Sequence, residues 1–416
     1  MIKNNLKLIK NFSSLTILQI SDYIFPLITF PYLVRVLGVE NFGTANFAFA
    51  FITYFTAFTE YGFRFSATRE IAVFKNNIKQ LENIFNSTVI IKSILCMISF
   101  AVFLLIILNF QTFSGNLPIF LTAFLFAAGS VFYPYWFFQG IEKMHFLYRV
   151  TIPLRIISTA AIFVFVTSGD NLFEYVLIIS SYQFISGLIL YITAKNYFNI
   201  KFVLPSKYHF LRQLKKGYHI FLSQISINIY TSSNVFILGL LSGGLSVGYY
   251  TGANKIKEAV SGIFLNMGTA VFPHFSELLL NNRRAGIKSL KKYLMIASII
   301  SVLSGFIFFI YPAEIILFVL GDQYLNSINV MRILAFIPFI IVISNVFGIQ
   351  LMLNTGLAKE FNRIISAAAF LNMILMFLLV PPLREQGAAL SMLLAELFVT
   401  ITMGILVTKR KLLYEI

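Results

Sequence analysis

Several ionisable side chains lie inside long apolar stretches of the sequence, where a charge is costly. Asp22, Arg155 and Glu396 interrupt such stretches, and Lys255 and Glu258 interrupt another. A charge at the centre of an apolar helix costs about 2.5–3.5 kcal/mol on insertion scales, so these groups should face a cavity or a partner. Basic side chains can bind an anion, whereas a carboxylate can take up a proton. We therefore predict substrate binding by Lys255 and Arg155, and ion coupling by the acids, Asp22, Glu258 and Glu396.

Amide side chains accompany these charges in a pattern that repeats. When the chain is shifted by 205 residues, Gln19-Ile-Ser21 meets Gln224-Ile-Ser226, and Gly38 and Gly43 meet Gly243 and Gly248. At helical spacing, Gln224 falls on one stripe with further amides, which predicts three more substrate-binding residues, Gln224, Asn228 and Asn234.

Each of these sites has a simpler alternative. Lys255 and Glu258 are three residues apart, so they can neutralise each other on one helix face. Arg155 can extend its head group to the membrane interface, and the amides can bond neighbouring helices together. Glu60 and Arg64 are four residues apart at the end of a predicted span, which favours a structural ion pair. Tyr133, Tyr135 and Trp136 lie together at the end of another span, which favours an interfacial aromatic belt over sugar stacking.

The composition excludes most soluble proteins. Of the 416 residues, 58% are hydrophobic and 12% are charged, and the mean hydropathy is +0.83. Soluble domains carry about 25% charged residues. The single cysteine, Cys96, excludes an internal disulfide and a cysteine metal cluster. We find no phosphate-binding glycine loop and no metal-ligand spacing, so no cofactor and no metal are predicted.

Apolar runs of about 20 residues predict an all-α polytopic membrane protein with about twelve transmembrane helices. The predicted spans are 12–36, 44–63, 84–109, 118–138, 148–167, 172–194, 217–241, 247–272, 293–311, 330–350, 361–381 and 387–408. Basic residues concentrate at the N-terminus and in every second connection, among them Lys92. This bias accounts for the net charge of +16 without nucleic acid and predicts a multi-pass protein with both termini cytoplasmic.

Six spans in each half of the repeat predict two parallel six-helix bundles around a central cavity. The first bundle is predicted to cover 1–200, a cytoplasmic linker 201–216, and the second bundle 217–416. Two such bundles can expose a midplane cavity to each side in turn, which indicates a transporter.

Four motifs resemble a known family. They are Arg35-Val-Leu-Gly-Val-Glu-Asn-Phe-Gly43, Tyr61-Gly-Phe-Arg-Phe-Ser-Ala-Thr-Arg-Glu70, Phe137-Phe-Gln-Gly-Ile-Glu-Lys-Met144 and Gly248-Tyr-Tyr-Thr-Gly-Ala-Asn-Lys-Ile256. Over its whole length the chain is similar to Wzx-type O-antigen flippases of the multidrug/oligosaccharidyl-lipid/polysaccharide exporter superfamily. The resemblance implies two bundles forming a V. It also implies a cationic central cavity, to which Arg35 would contribute beside Lys255 and Arg155.

The implied substrate is an oligosaccharide linked to undecaprenyl diphosphate, carried from the cytoplasmic to the periplasmic leaflet of the bacterial inner membrane. The implied partners are this glycolipid, membrane lipid, a coupling proton or sodium ion, and other polysaccharide assembly proteins. A cation-coupled multidrug exporter of the same superfamily is the nearest alternative. An enzyme such as an O-antigen polymerase would need a sizeable extracytoplasmic loop with catalytic groups, which the sequence lacks, so we predict a protein that is not an enzyme.

Overall fold

The computed structural model describes residues 2–413, without the side chains of residues 2–16, 19, 219, 223 and 226–231. Within this part of the chain, helices are joined by short turns and no strand occurs. The α-helices are α1 (Ile2–Glu60), α2 (Phe63–Phe74), α3 (Ile78–Asn109), α4 (Gln111–Ser114), α5 (Leu117–Phe132), α6 (Tyr135–Gly140), α7 (His145–Phe165), α8 (Leu172–Tyr197), α9 (Lys207–Asn281), α10 (Arg283–Ile310), α11 (Pro312–Val319), α12 (Ser327–Leu334), α13 (Ile337–Asn345) and α14 (Ala358–Lys409). A π-helical segment, Val346–Leu353, follows α13.

Nine helical segments of the described chain are long and apolar enough to cross a membrane. Three of them, Ile20–Phe74, Ser232–Asn281 and Ala358–Lys409, contain 55, 50 and 52 residues. One crossing needs about 20 residues, so each of these three is long enough to cross twice. The protein is therefore an all-α polytopic membrane protein, and its helices are consistent with the twelve predicted spans.

The first long segment reverses direction within α1. Gly38 has φ 73° and ψ 175°, outside the helical region. The rings of Phe30 and Phe42, on either side of it, are 5.9 Å apart. A straight helix would separate residues at this spacing by about 18 Å along its axis. The chain therefore forms a helical hairpin at Gly38.

A second hairpin forms at the position that the sequence repeat makes equivalent. Gly243 in α9 has φ 77° and ψ −178°, and the side chains of Asn234 and Tyr250 on either side of it form a hydrogen bond of 3.2 Å. This backbone region is accessible almost only to glycine. The aligned glycines of the repeat thus make the same turn.

The third hairpin has no glycine at its turn. In α14, Arg384 has φ 47° and ψ −124° and follows Pro381 and Pro382. Gly387 packs directly against the backbone of Leu379, which a straight helix would not allow. Proline removes helical hydrogen bonds and so helps to end the first arm of the hairpin.

The chain forms two compact units, Met1–Ile229 and Tyr230–Ile416. The division falls inside α9, and residues 207–216 of the predicted linker are already helical. Among the described residues of the first unit, Phe63, Phe85, Trp136 and Leu147 belong to one buried apolar core. This core packs α2, α3, α6 and α7 together.

Two glycines bring α5 and α8 close together in the first unit. A Cβ on Gly129 would lie 2.7 Å from the Phe184 backbone, and a Cβ on Gly187 would lie 2.5 Å from the Gly129 carbonyl oxygen. Small residues allow such close approach of transmembrane helices. Ser130 on α5 and Gln183 on α8, which are adjacent in sequence to Gly129 and Phe184, both line the cavity described below.

The core of the second unit forms around the π-helical segment. Val346, Leu351 and Met403 are buried there together, which packs this segment against α14. Gln350 is fully buried and donates a hydrogen bond of 2.8 Å to the carbonyl oxygen of Gly268 on α9. π-Helical turns are rare and occur frequently at functional sites.

Candidate functional site

A polar cavity of about 420 Å³ lies within the first unit. It is lined by Asp22, Thr53, Thr56, Ala57, Glu60, Gly62, Arg64, Phe65, Ser130, Tyr133, Tyr135, Trp136, Gln183 and Gln224. The lining combines two carboxylates, a guanidinium, two primary amides, three aliphatic hydroxyl groups and four aromatic rings, two of which are tyrosines. Such a wall offers hydrogen bonds to a polar ligand and flat apolar faces to stack against it.

A buried ion pair anchors one wall of this cavity. Lys92 on α3 is 0% exposed, and its Nζ lies 2.9 Å from Oε1 of Glu60 at the end of α1. The same ammonium donates a second hydrogen bond, of 2.5 Å, to the carbonyl oxygen of Ser130 on α5. Three helices thus converge on one cation. Removing Glu60 would leave the buried ammonium of Lys92 without a counter-ion.

A second ion pair lies at the other acidic residue of the cavity. Nη1 of Arg155 on α7 donates hydrogen bonds of 2.5 Å to Oδ1 of Asp22 and 3.2 Å to Oγ of Ser21. The guanidinium also lies over the ring of Tyr182, 5.4 Å from its centroid. Asp22 keeps 59% of its side chain exposed, against 22% for Arg155. The carboxylate is therefore the more accessible member of the pair.

The aromatic residues that follow α5 divide between the cavity and the core. Tyr133 and Tyr135 line the cavity, and the Arg64 guanidinium lies 4.6 Å from the centroid of the Tyr135 ring. Trp136 is 1% exposed and packs against Phe85, with ring centroids 5.5 Å apart. The predicted interfacial belt is therefore wrong for Trp136, because α6 turns this side chain into the core.

Two further expectations from the sequence need correction. Lys92 was assigned to a connection between spans, whereas it lies inside α3 and is fully buried. Glu60 bonds this lysine, while its expected partner Arg64 lies over Tyr135. The chain breaks from the helix at Tyr61 and Gly62, which both have positive φ, so the four-residue spacing of Glu60 and Arg64 is not helical. The apolar neighbours of Lys92 in the sequence are the signal that could have identified it as a charge within the membrane.

In the second unit, Lys255 and Glu258 contact each other. Nζ of Lys255 lies 3.2 Å from Oε2 of Glu258, and the two side chains are 48% and 47% exposed. Asn254 donates a further hydrogen bond of 2.7 Å to Oε1 of Glu258. The mutually neutralising pair, which the sequence left open, is thus the observed arrangement. A pair so exposed leaves Lys255 accessible to a ligand.

The second unit also contains a buried chain of polar groups. Asn372 on α14 donates a hydrogen bond of 2.7 Å to Oδ1 of Asn234. Asn234 in turn donates a hydrogen bond of 3.2 Å to the hydroxyl of Tyr250. That hydroxyl lies 3.4 Å from Sδ of Met392, which also lies 3.7 Å from Nζ of Lys257. The predicted site residue Asn234 therefore bonds neighbouring helices together within the second unit.

The remaining predicted residues lie apart from these clusters. Glu396 lines a separate cavity of about 210 Å³ with Asn345 and interacts electrostatically with Lys257, which is 2% exposed. Arg35 is exposed, three residues before the Gly38 turn. Asn228 lies outside the described side chains. The predicted ion-coupling acids are thus distributed over three different surroundings.

The described residues contain no group of three or more His, Cys, Asp or Glu that could hold a metal ion. The two acids of the first cavity are each paired with a basic group, Asp22 with Arg155 and Glu60 with Lys92. Each pair can exchange one partner for a ligand or a proton.

Several known proteins are similar to this chain. The family described as "Polysaccharide biosynthesis protein" matches residues 8–279. A "Putative O-antigen transporter" of Escherichia coli (strain K12) is 34% identical over 410 residues, covering 99% of each chain. A "Putative O-antigen transporter" of Shigella dysenteriae is 26% identical, covering 95% of this chain and 98% of that one.

Solved structures share the fold at low sequence identity. The lipid II flippase MurJ, in an inward closed conformation, has a TM-score of 0.70 at 16% identity and covers 94% of this chain and 87% of its own. An inward-facing multidrug resistance MATE family transporter of the MOP superfamily has a TM-score of 0.67 at 14% identity, covering 93% and 94%. By its sequence matches along nearly the whole length, the chain belongs to the polysaccharide biosynthesis protein family of membrane proteins.

Proposed function

We propose that this protein is a flippase for an oligosaccharide linked to undecaprenyl diphosphate. It carries the glycolipid by alternating access from the cytoplasmic to the periplasmic leaflet of the bacterial inner membrane, with both of its own termini cytoplasmic. The curated relatives are named as O-antigen transporters, which supports a transporter over an enzyme. The observation on which the proposal depends is the polar, aromatic-lined cavity of the first unit.

The cavity provides what an oligosaccharide needs to cross a membrane. An unpaired hydroxyl moved into hydrocarbon costs about 4–8 kcal/mol, so a repeat unit with many hydroxyls cannot cross unaided. Gln183, Gln224 and Thr56 offer hydrogen-bonding groups at the cavity wall, and Tyr135 offers a ring on which a sugar face can stack. The apolar polyprenyl chain can remain in the lipid.

The Asp22–Arg155 pair supplies a mechanism for ion coupling. While Asp22 is ionised, its carboxylate engages the Arg155 guanidinium and competes with any phosphate for it. Protonation of Asp22 removes that competitor and leaves Arg155 available to the diphosphate, which it can bind through two parallel hydrogen bonds. Protonation of Asp22 and binding of the glycolipid at Arg155 therefore favour each other, so the ionisation state of Asp22 can bias the two transport states.

Lys255 is the corresponding basic group of the second unit. Its half-exposed ammonium carries a single described carboxylate partner, Glu258, on the same helix. We place it as a second phosphate-binding residue, with Glu258 as its resting counter-ion.

Reconstitution tests the proposal directly. The purified full chain is placed in phosphatidylcholine vesicles with an undecaprenyl-diphosphate-linked oligosaccharide, and a lectin added outside captures the glycolipid that has crossed. We expect capture to rise with an imposed proton gradient. Arg155→Ala should slow it about tenfold or more, the value of one hydrogen bond to a charged group.

The matched control is Arg149→Ala, which removes an exposed arginine from the same helix. Lys255→Ala should likewise slow capture, whereas Lys255→Arg should retain part of it. If capture in the wild-type vesicles equals that in protein-free vesicles, the proposal is wrong. Equal loss in Arg155→Ala and Arg149→Ala would remove Arg155 from the binding site.

An exporter of organic cations is the second candidate. It is favoured by the two carboxylates, Asp22 and Glu60, in the same cavity, since a cation would be drawn to them. The same vesicles loaded with a fluorescent organic cation distinguish the two functions. Gradient-driven movement of the cation without movement of the glycolipid would favour the exporter.

A further inference from the structure

We propose that a groove between α2 and the first turns of α9 binds a membrane lipid with an anionic phosphate headgroup. The groove has a volume of about 580 Å³ and lies within the first unit. It is lined by Phe65, Ser66, Arg69, Glu70, Val73, Phe74, Arg212, Lys216 and Ile220. Apart from Phe65, its lining residues differ from those of the polar cavity, so this proposal does not depend on the function proposed above.

The geometry of the groove follows from helical spacing. Its α2 residues recur at intervals of three and four positions, as do Arg212, Lys216 and Ile220 on α9. Each helix therefore contributes one continuous stripe, and the space between the two stripes runs along both helices. A groove of this shape suits an elongated ligand.

The charge of the groove is positive. Three cationic side chains, Arg69, Arg212 and Lys216, face one carboxylate, Glu70. Glu70 is bonded by Lys216 and lies 3.5 Å from Nη2 of Arg212, so it holds these two cations in place. Arg69 is exposed and has no carboxylate partner among the described residues. The net excess of two positive charges favours an anion.

The walls of the groove are apolar and exposed. Phe65 is 53% exposed and Val73 is 69% exposed, although both lie on a helix whose opposite face is buried in the core. Exposed apolar side chains next to cations match a ligand that joins an anionic head to apolar chains. A free phosphate would leave the apolar walls uncovered, and a zwitterionic lipid would leave the positive charge uncompensated.

Native mass spectrometry of the purified full chain tests this site. Delipidated protein in a neutral detergent is titrated with phosphatidylglycerol, undecaprenyl phosphate, phosphatidylcholine or inorganic phosphate, and bound lipids are counted by mass. We expect one site that binds both anionic lipids more tightly than phosphatidylcholine. Whichever of the two binds more tightly identifies whether acyl or polyprenyl chains fill the groove.

Substitutions at exposed positions locate the site. Val73→Glu and Arg69→Gln should each weaken anionic-lipid binding about fivefold, the effect of one charge near a membrane surface, whereas Val73→Lys should strengthen it to a similar extent. The neutral control Val73→Gln matches Val73→Glu in size. The control Lys215→Gln removes an exposed lysine from α9, outside the groove. Lys215→Gln should bind as the wild type does, and Val73→Gln should weaken binding less than Val73→Glu does.

Three results would overturn the proposal. Equal binding of phosphatidylcholine and phosphatidylglycerol would remove the preference for an anion. Displacement of the lipid by millimolar inorganic phosphate would show a phosphate site without a lipid chain. Unchanged binding in Val73→Glu and Val73→Lys, with unfolding temperatures equal to that of the wild type, would place the lipid elsewhere.

Discussion

Gly38 in the first unit and Gly243 in the second adopt almost the same backbone conformation, yet the charges near these hairpins are held differently. In the first unit, ion pairs join different helices: Lys92 to Glu60, and Arg155 to Asp22. In the second unit, the resolved pair of Lys255 and Glu258 lies on one helix. The repeat has thus kept its turn while its charged groups diverged. The described ion pairs that join different helices are those of the first unit, although Glu396 on α14 also interacts electrostatically with Lys257 on α9 in the second unit.

The largest expected effect comes from breaking the buried pair of the first unit. Glu60→Ala leaves the Lys92 ammonium buried without its carboxylate, which should lower the free energy of unfolding by about 3–5 kcal/mol. Lys92→Met removes the buried charge itself and should cost less. Thermal unfolding of the purified chain measures both. Equal loss in the two variants would show that packing, and not charge, dominates at this position.

The next largest effect is expected on ion coupling, where Asp22 of the first unit is compared with Glu396 of the second unit. Asp22→Asn should bring the ratio of glycolipid transport with and without a proton gradient to about one, because the coupling free energy of about 1–3 kcal/mol is lost. Glu396→Gln tests the same role at the cavity of the second unit. Gradient dependence that survives both substitutions would exclude these acids as proton carriers.

The two hairpin glycines should respond alike. Gly243→Ala places a Cβ in open space, so no steric clash is added. The substitution should therefore lower the free energy of unfolding only by the strain of the backbone conformation, about 1–3 kcal/mol. Gly38→Ala should cost at least as much, because the backbone angles are nearly equal. Unfolding measurements on both variants check this equivalence. A change below about 0.5 kcal/mol in either one would show that its turn differs from that of its counterpart.

The smallest effect on stability is expected at Lys255. The Lys255–Glu258 pair is half-exposed and lies within one helix, so Lys255→Ala should change the free energy of unfolding by less than about 1 kcal/mol. Transport should nevertheless fall. If the double variant Lys255→Ala/Glu258→Ala transports as the wild type does, the pair serves only to neutralise itself.

The sequence predicted the features that depend on local pattern. The predicted span 172–194 corresponds to α8, Leu172–Tyr197, because length and hydropathy determine a transmembrane helix. The shared turn at Gly38 and Gly243 follows from glycine, since other residues rarely adopt that conformation.

Contacts between residues far apart in the sequence could not be predicted from the local sequence pattern. Nothing near Asp22 in the sequence identifies Arg155 as its partner, and Lys92 was assigned to a connection although its neighbours are apolar. The roles predicted for Lys255, Arg155 and Asp22 stay predictions, since geometry shows where they lie and transport must show what they do.

The arginine at the turn of the third hairpin is a position at which the protein can be stabilised. Arg384 occupies a backbone region that costs a side-chain-bearing residue about 1–3 kcal/mol. Arg384→Gly would relieve that cost at a position that lines none of the three cavities. A more stable variant would remain folded for longer after detergent extraction, which would make it more suitable for structure determination with a bound ligand.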